Sequence, residues 1–369
     1  MTELLVGDAA PKLILGEYLK GEPVAELVPG NVYVIEFWTS SCGPCRTSIP
    51  HLTELQKKFP QVTIIGVTPQ ADTMAARTLV AEMGEQIGYR IALDKLLTND
   101  ADESAVWWTN RWMARHWLLA SYRLGVPCAF IVDRAGAVAW IGHPMEMDVP
   151  LTEIVDGIWD LPAKAHAYQV ALTESKEREK FLLQMEVLKA RDSAAVVAAI
   201  DKGIAVEPAL EKMSGYMFPF QKLGSLMYDD AVKPSASAMP YVAYLVNALC
   251  RDDIRALLRL STVLLGPHQM EAPGGGFAQE TGFLDLALQA LHQIEDLLCQ
   301  HPQPDDFSPP YFMQFEANFA RALLAKGKNS EALDRALRAQ RWGKDARVPD
   351  KIMKQQEELV SECQRRLNQ

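Results

Sequence analysis

Two cysteines at the junction between an apolar run and an amphipathic run constrain this chain more than any other feature. Residues 32–37 predict a buried strand, and residues 42–59 have the periodicity of a helix. Cys42 is therefore expected at a helix N-terminus, where unpaired backbone N–H groups and the helix dipole stabilise a thiolate. Cys45 lies one turn further along the chain and can reach the same sulfur. This spacing predicts thiol–disulfide exchange.

A structural cysteine pair, or half of a zinc site, is the alternative interpretation of Cys42 and Cys45. A zinc site needs two further ligands at a regular spacing, and none follow in the sequence. We therefore expect a redox-active pair, with no metal and no cofactor.

The order of the predicted elements indicates two domains. Strands alternate with helices up to about residue 162, which predicts an open sheet with a largely parallel core and an antiparallel hairpin at its end. Beyond that point the strand signal disappears and helical periodicity continues. The predicted elements of the first domain are a loop-rich segment at 6–30, strands at 32–37, 62–67, 90–93, 128–132 and 137–141, and helices at 42–58, 72–84, 101–123 and 151–159. We therefore expect an α/β domain over residues 1–162 and an all-α domain over residues 163–369.

Three stretches of the first domain resemble the thioredoxin superfamily. Residues 37–46, with Pro50 just beyond, match its Phe-Trp and Cys-Gly-Pro-Cys pattern. Residues 125–133 resemble its cis-proline loop and the strand that follows, and residues 140–144 close the pattern as in the TlpA-like and redoxin branch. The resemblance implies a thioredoxin fold, a mixed sheet with flanking helices, for residues 1–162.

The resemblance also implies roles for individual residues. Cys42 attacks the substrate disulfide, Cys45 releases the product, and Pro127 follows a cis peptide bond and packs against the two sulfurs. Val126 stands where typical thioredoxins have threonine, so we expect a different substrate preference. The candidate substrate-binding residues around the cysteines are Trp38, Gly43, Pro44, Val126, Cys128, Gly142 and His143.

Three of the candidate residues have two interpretations each. Glu36 stands where thioredoxins carry a buried acid, and burial would raise its pKa and suit a proton carrier to Cys45; the alternative is an edge position with the carboxylate in water. Cys128 is either a small buried side chain or a third thiol that acts as a resolving partner or soft-metal ligand. His143 is either a substrate contact or an ordinary loop histidine.

Residues 320–339 predict a hairpin of two closely packed helices in the second domain. Small residues recur on both sides of Gly327, as in tetratricopeptide hairpins. The sequence does not show three copies at a fixed spacing, so we expect an irregular, tetratricopeptide-like array. Because such arrays build extended grooves, this domain is expected to bind a protein partner or a protein substrate.

Composition limits the classes of partner and location. The 369 residues include 37 Lys and Arg against 47 Asp and Glu, a formal net charge of −10 that disfavours nucleic acid as a partner. No apolar run reaches the roughly 18–20 residues that span a bilayer. Residues 1–20 have neither the positively charged start nor the apolar core of a signal peptide. We therefore expect a cytoplasmic protein without a membrane span, or an exported protein if a leader has been removed.

These features together predict a thiol–disulfide oxidoreductase that mainly reduces protein disulfides and takes its electrons from a thiol reductant. The alternative is a helical scaffold or binding protein whose thioredoxin-like domain is a redox switch without turnover. Peroxidase chemistry is disfavoured, because the peroxiredoxin pattern has a lone peroxidatic cysteine rather than a Cys-Gly-Pro-Cys dithiol. An insulin-reduction assay separates the first two.

Overall fold

The computed structural model describes residues 2–70, 72–97, 110–227, 236–265, 281–300 and 307–369. The chain divides into two compact units, Met1–Lys189 and Ala190–Gln369. Among the helices of the described ranges, none has both the length and the hydropathy that crossing a membrane requires.

A single mixed sheet of six strands forms the centre of the first unit, in the order β1-β4-β3-β2-β5-β6. The neighbours β4, β3 and β2 run parallel, whereas β5 pairs antiparallel with β2, β6 with β5, and β1 with β4. This confirms the predicted mixed sheet. The strands are β1 (Leu15–Lys20), β2 (Val32–Phe37), β3 (Val62–Thr68), β4 (Arg90–Asp94), β5 (Cys128–Val132) and β6 (Val138–Gly142).

Helices cover both faces of this sheet. Alternate side chains of a strand point to opposite faces: Val34 and Trp38 pack with Ile49 in one core, and Ile35 and Phe37 belong to a second core on the other face. The helices are α1 (Gly43–Lys58), α2 (Thr73–Met83), α3 (Asp148–Asp156), α4 (Leu161–Ser175) and α5 (Glu177–Lys189), with single helical turns at Ala114–Leu118 and Leu119–Ser121.

Two elements of the first unit differ from the sequence prediction. Strand β1 lies in the segment expected to be a loop; no residue of β1 is fully buried, and its pairing with β4 is irregular, so it lacks the apolar run that marks the other strands. Within residues 110–123, the described part of the helix predicted at 101–123, short helical turns lie at Ala114–Leu118 and Leu119–Ser121 in place of a regular α-helix; residues 101–109 lie outside the described ranges.

The first unit also extends beyond the boundary expected at residue 162. Ala165 and Tyr168 of α4 pack against the second core, and the ring of Phe181 in α5 meets the ring of Tyr122 edge-on at 5.4 Å. Both helices therefore contact the sheet domain, and the division falls after Lys189.

The second unit is entirely helical over its described residues. Its core contains Leu257, Leu291 and Phe319, among other buried apolar residues. The helices are α6 (Ser193–Val206), α7 (Met213–Met227), α8 (Ala238–Tyr244), α9 (Ile254–Leu265), α10 (Thr281–Gln300), α11 (Pro309–Ala325), α12 (Asn329–Asp345) and α13 (Asp350–Leu367). Helix α7 shows no clear helical periodicity in the sequence, because Gly215, Pro219 and Gly224 interrupt it.

The hairpin predicted around Gly327 is formed by α11 and α12. Gly327 has φ +74°, the left-handed conformation that ends α11, and Ala320, Ala332 and Ala336 are fully buried. Small side chains at these positions allow the two helix backbones to approach closely. The tetratricopeptide-like classification itself stays a prediction.

Candidate active site

The two cysteines lie at the junction between strand β2 and helix α1. Cys42 is the N-cap residue of α1, and the backbone N–H of Cys45 donates to Cys42 Sγ at 3.1 Å. Pro44 stands in the first turn, where a backbone N–H has no partner within the helix and its loss costs nothing. Cys42 and Cys45 are joined by a disulfide bond, Cys45 is fully buried, and Cys42 is half-buried. The attacking sulfur is thus the more accessible of the two.

A glutamine that the sequence did not identify fixes the loop before Cys42. Gln70, just after β3, accepts a hydrogen bond from the Ser40 backbone N–H at 2.7 Å and donates to the Ser40 hydroxyl at 3.0 Å. Arg46 of α1 donates to the Ser40 carbonyl at 3.0 Å from Nη2. Ser40 is therefore held from two sides, which orients the turn that delivers Cys42.

The loop before β5, the strand paired with β2, lies close to Cys42 Sγ. The Val126–Pro127 peptide bond is cis, and the Val126 carbonyl oxygen lies 3.6 Å from Cys42 Sγ. A groove with a volume of about 670 Å³ opens beside this loop. Six of the predicted site residues line this groove, namely Pro44, Val126, Pro127, Cys128, Gly142 and His143.

Glu36 lies beneath the cysteines and is fully buried. It stands between Val34 and Trp38 on β2, so its side chain points to the sheet face that packs against α1. Neither of its carboxylate oxygens has a hydrogen-bond partner among the described residues. Burial raises the pKa of Glu36 from 4.5 to about 8. The carboxyl group is therefore protonated at neutral pH and can exchange its proton close to that pH.

The neighbouring strands leave room for this carboxyl group. Glu36 is paired with Gly66 on β3 and with Ala129 on β5, which carry no side chain and a single methyl. A methyl group added at Gly66 would lie 3.1 Å from the Tyr89 ring and 3.2 Å from Trp38 Nε1. Tyr89 is almost fully buried, and burial together with the charge of Glu36 raises its pKa. Gly66 and Tyr89 were missed because their proximity to Glu36 arises from strand pairing, not from chain order.

Two predicted substrate contacts lie outside the groove. Trp38 is fully buried and packs in the core beneath α1, because it continues the inward-facing side of β2 beyond the strand's end. A contact between Trp38 and substrate stays a prediction. Gly43 is exposed at the start of α1 and does not line the groove.

Cys128 occupies a different environment from the two linked cysteines. It is paired with Phe37 and lies in the core on the sheet face opposite Glu36. Burial raises the pKa of the Cys128 thiol to about 12, although the nearby Arg123 opposes this. A thiol that stays protonated is a poor nucleophile, which favours the packing interpretation.

His143 caps a short helical turn at the edge of the groove. Its Nδ1 accepts a hydrogen bond from the Met145 backbone N–H at 3.3 Å, and the residue is half-buried. This contact explains its position as a loop residue, and a role in substrate contact stays a prediction.

Comparison with known proteins places this site in a family. The AhpC/TSA family model matches residues 6–141. The protein FixW of Rhizobium leguminosarum is 28% identical over 217 residues, which cover 56% of this chain and 93% of FixW. The thiol:disulfide interchange protein HelX of Rhodobacter capsulatus is 30% identical over 159 residues, which cover 42% of this chain and 78% of HelX.

Among solved structures, a thiol-disulfide isomerase from Corynebacterium glutamicum aligns with 41% of this chain and 97% of its own, at 19% identity and a TM-score of 0.32. The strand order, the cysteine pair at the start of α1 and the matches to the AhpC/TSA model and to HelX agree. The chain belongs to the thioredoxin superfamily, and its first unit contains a thiol–disulfide oxidoreductase-like domain that matches the AhpC/TSA family model over residues 6–141.

Proposed function

We propose that the protein reduces disulfide bonds in protein substrates through the Cys42–Cys45 dithiol. The observation that carries this proposal is the position of Cys42 as the N-cap of α1, above a buried acid that titrates close to neutral pH. The first feature favours a thiolate nucleophile, and the second offers a proton acceptor for the resolving step.

The exchange proceeds in two steps whose electrons balance. The Cys42 thiolate attacks one sulfur of the substrate disulfide, forms a mixed disulfide and expels the other sulfur as a thiolate. Cys45 then loses its proton and attacks the Cys42 sulfur, which releases the second substrate thiol and closes the Cys42–Cys45 disulfide. Two electrons pass from the protein to the substrate, and an external dithiol donor must restore the reduced pair.

Activation of Cys42 rests on the N-terminus of α1. The Cys45 backbone N–H points at Cys42 Sγ, and the helix dipole adds partial positive charge at the same end. Both favour the thiolate over the thiol. The Val126 carbonyl at 3.6 Å would accept a hydrogen bond from a protonated Cys42, so the two forms have separate partners in the reduced site.

Glu36 supplies the proton acceptor for the second step in this proposal. Cys45 is fully buried on the α1 face towards which Glu36 points, away from bulk water. A buried thiol must lose its proton before it attacks, and the ionised fraction of Glu36, which grows as the pH rises towards its pKa of about 8, can take that proton.

The second unit is proposed to bind a protein partner or to position the protein substrate. The support is its array of helices, since packed helical hairpins present extended surfaces. The proposal also includes a cytoplasmic location, a thiol reductant as the electron donor, and reduction of substrate disulfides as the main direction of exchange.

Catalysed reduction of insulin by dithiothreitol tests the proposal. We expect the parent protein to accelerate insulin precipitation at substoichiometric concentration. Cys42→Ser should abolish the acceleration, and Cys45→Ser should stop after one mixed disulfide, visible as a covalent adduct on a non-reducing gel. If the folded parent gives no acceleration over dithiothreitol alone, the proposal fails and the redox-switch scaffold becomes the better account.

A further inference from the structure

Three parallel strands end at the edge of the sheet that carries the cysteine pair. Strands β2, β3 and β4 are neighbours and run in the same direction, so their carboxyl ends lie side by side. Ser40 lies beyond the end of β2, Gln70 beyond the end of β3, and Asp94 is the last residue of β4. Residues that are distant in the chain can therefore act on the turn before Cys42.

Arg111 joins the ends of β3 and β4. Its Nη1 donates to the Asp94 carbonyl oxygen at 3.0 Å, and its Nη2 donates to the Gln70 carbonyl oxygen at 3.3 Å. A guanidinium is a planar fork with donors in fixed directions, so one side chain can hold two carbonyl groups at a set separation. Because Arg111 is buried, water does not compete freely for these contacts.

The Asp94 side chain fixes the segment that carries Arg111. Asp94 Oδ1 accepts a hydrogen bond from the Met113 backbone N–H at 2.8 Å, and Oδ2 accepts one from the Ala114 backbone N–H at 2.8 Å. Asp94 is also buried, and its charge attracts that of Arg111. A buried cation beside a buried carboxylate is compensated, so Arg111 can keep its place between the two strands.

Gln70 connects Arg111 to the turn that precedes Cys42. Its backbone carbonyl accepts from Arg111, and its side-chain amide holds Ser40 through the two hydrogen bonds described above. Two residues later, the Cys42 backbone N–H donates to the Thr39 carbonyl oxygen at 3.2 Å. A displacement of Gln70 would therefore move Ser40, and with it the turn that holds the Cys42 sulfur at the start of α1.

We propose that Gln70 and Arg111 are positioning residues for thiol–disulfide exchange, which hold the turn at residues 39–42 so that Cys42 Sγ stays at the N-terminus of α1. The inference rests on the proposed function, since it concerns the reactivity of the same cysteine pair. Gln70 acts through Ser40, and Arg111 acts through Gln70.

Gln56 provides a matched control for Gln70. Gln56 Nε2 donates to the Val62 carbonyl oxygen at 2.8 Å, and its Oε1 accepts from the Ile64 backbone N–H at 3.1 Å. It therefore joins backbone groups with the same amide chemistry as Gln70, but near the C-terminal end of α1 and the start of β3. Gln56→Met should destabilise the protein about as much as Gln70→Met and leave the turn before Cys42 in place.

Stopped-flow oxidation of the reduced full-length protein by a limiting amount of an aromatic, chromogenic disulfide tests the inference. The Cys42 thiolate attacks one sulfur, forms a mixed disulfide and releases one coloured thiolate, so the first phase reports on Cys42. Every protein carries Cys299→Ser, because Cys299 is an exposed thiol that would also react. The variants are Gln70→Met, Arg111→Lys and Gln56→Met, each measured over a range of pH and checked for folding by urea unfolding.

We expect the first phase of Gln70→Met to be at least about 10-fold slower than that of the parent at pH 7, because a displaced nucleophile attacks less often in the right geometry. Its pH profile should move to higher pH, since the displaced sulfur loses part of the stabilisation by the helix N-terminus. Arg111→Lys keeps the charge beside Asp94 but loses the fork, and should slow the same phase by about 3-fold. Gln56→Met should keep the parent rate and pH profile.

Three other results have distinct meanings. A folded Gln70→Met with the parent rate and pH profile overturns the inference and leaves the proposed function standing. Equal slowing of Gln70→Met and Gln56→Met also overturns it, because the rate then follows a general loss of stability. A folded, reduced parent whose first phase is no faster than the reaction of free glutathione contradicts the proposed function, and the inference falls with it. If Arg111→Lys does not fold, the comparison of Gln70→Met with Gln56→Met still decides.

Discussion

Each unit of the protein contains a buried glutamate, and the two glutamates differ in their hydrogen-bond partners. Glu36 in the sheet is fully buried, and its carboxylate oxygens have no hydrogen-bond partner among the described residues. Glu316 in α11 is 7% exposed and receives a hydrogen bond from Arg335 Nη1 at 3.1 Å. Arg335 also donates to Glu295 at 2.5 Å, so one cation serves two acids.

The contrast separates an acid with a charged structural partner, Glu316, from the acid that we propose as a proton acceptor, Glu36. Burial raises the pKa of both glutamates, but at Glu316 the charge and hydrogen bond of Arg335 oppose this effect. Glu316 is thus stabilised as an ion pair that ties α11 to α12. At Glu36, burial raises the pKa to about 8, and no charge or hydrogen bond among the described residues opposes this effect. A buried acid of this kind costs stability, and such groups are common at functional sites.

The largest expected effect is the pH-dependence of stability at Glu36. Its pKa is about 8 in the native state and near 4.5 in the unfolded state, so no penalty exists below pH 4.5, where both states are protonated. As the pH rises from 4.5 to 8, the unfolded state loses its proton first and the native state is destabilised, with the full penalty above pH 8. At about 1.36 kcal/mol per pKa unit, the penalty is on the order of 5 kcal/mol.

Denaturant unfolding of the parent and of Glu36→Gln between pH 5 and pH 9 measures this effect. The free energy of unfolding of Glu36→Gln minus that of the parent should increase as the pH rises, by several kcal/mol at pH 9. A difference between the two proteins that does not change with pH would show that Glu36 is ionised and compensated in the native state.

Removal of the cation in the second unit should give the next largest effect. Arg335→Met leaves the buried Glu316 and the partly buried Glu295 without their shared partner, and loss of one member of a buried pair costs about 3 kcal/mol or more. Lys328→Met is the control in the same unit, since Lys328 pairs with the exposed Glu331. Urea unfolding should show a clear loss for Arg335→Met and a loss below about 1 kcal/mol for the control. Equal losses would contradict the assignment of Arg335 as the compensating charge.

A matched pair of glycine substitutions gives the smallest effect. A methyl group at Gly66 would lie 2.7 Å from Ile91 Cδ1 and 3.1 Å from the Tyr89 ring, both fully packed around Glu36. At Gly343 in α12, the closest atoms are the sulfurs of Met353 and Met313, whose flexible side chains can move aside. Gly66→Ala should therefore cost about 1–3 kcal/mol in thermal or urea unfolding.

The same substitution in the helix should be neutral or stabilising. Gly343→Ala relieves a helix-interior glycine, which is worth up to about 1 kcal/mol. If Gly66→Ala were equally well tolerated, the close packing of Tyr89 and Trp38 against β3 would not be needed to keep Glu36 buried.

The sequence predicted those elements of the fold whose signals are local. Strands β2, β3 and β5 are continuous apolar runs, and the Cys-Gly-Pro-Cys motif marks the start of α1 within one residue. β1 was missed because an edge strand that is only partly buried needs no apolar run. α7 was missed because glycine and proline break its pattern, although packing in the core of the second unit stabilises it.

In the candidate site too, the features with local sequence signals were the ones that could be predicted. The cysteines, Glu36 and the Val126–Pro127 loop could be identified because each belongs to a short motif. The packing of α5 on the first unit and the space that Gly66 leaves for Glu36 depend on contacts between segments distant in the chain, namely Phe181 with Tyr122 and Glu36 with Gly66. The burial of Trp38 could not be predicted, because a motif specifies the residue type but not the face of the sheet on which it lies.

The central claim, that Glu36 accepts the Cys45 proton, can be tested in a single turnover. The reduced protein releases one coloured thiolate from a chromogenic disulfide when Cys42 attacks, and a second when Cys45 resolves the mixed disulfide. In Glu36→Gln the second phase should be at least about 10-fold slower and should lose the rise in rate with an apparent pKa near 8. Glu316→Gln should match the parent. A second phase with the same rate and pH profile in Glu36→Gln as in the parent would contradict the claim.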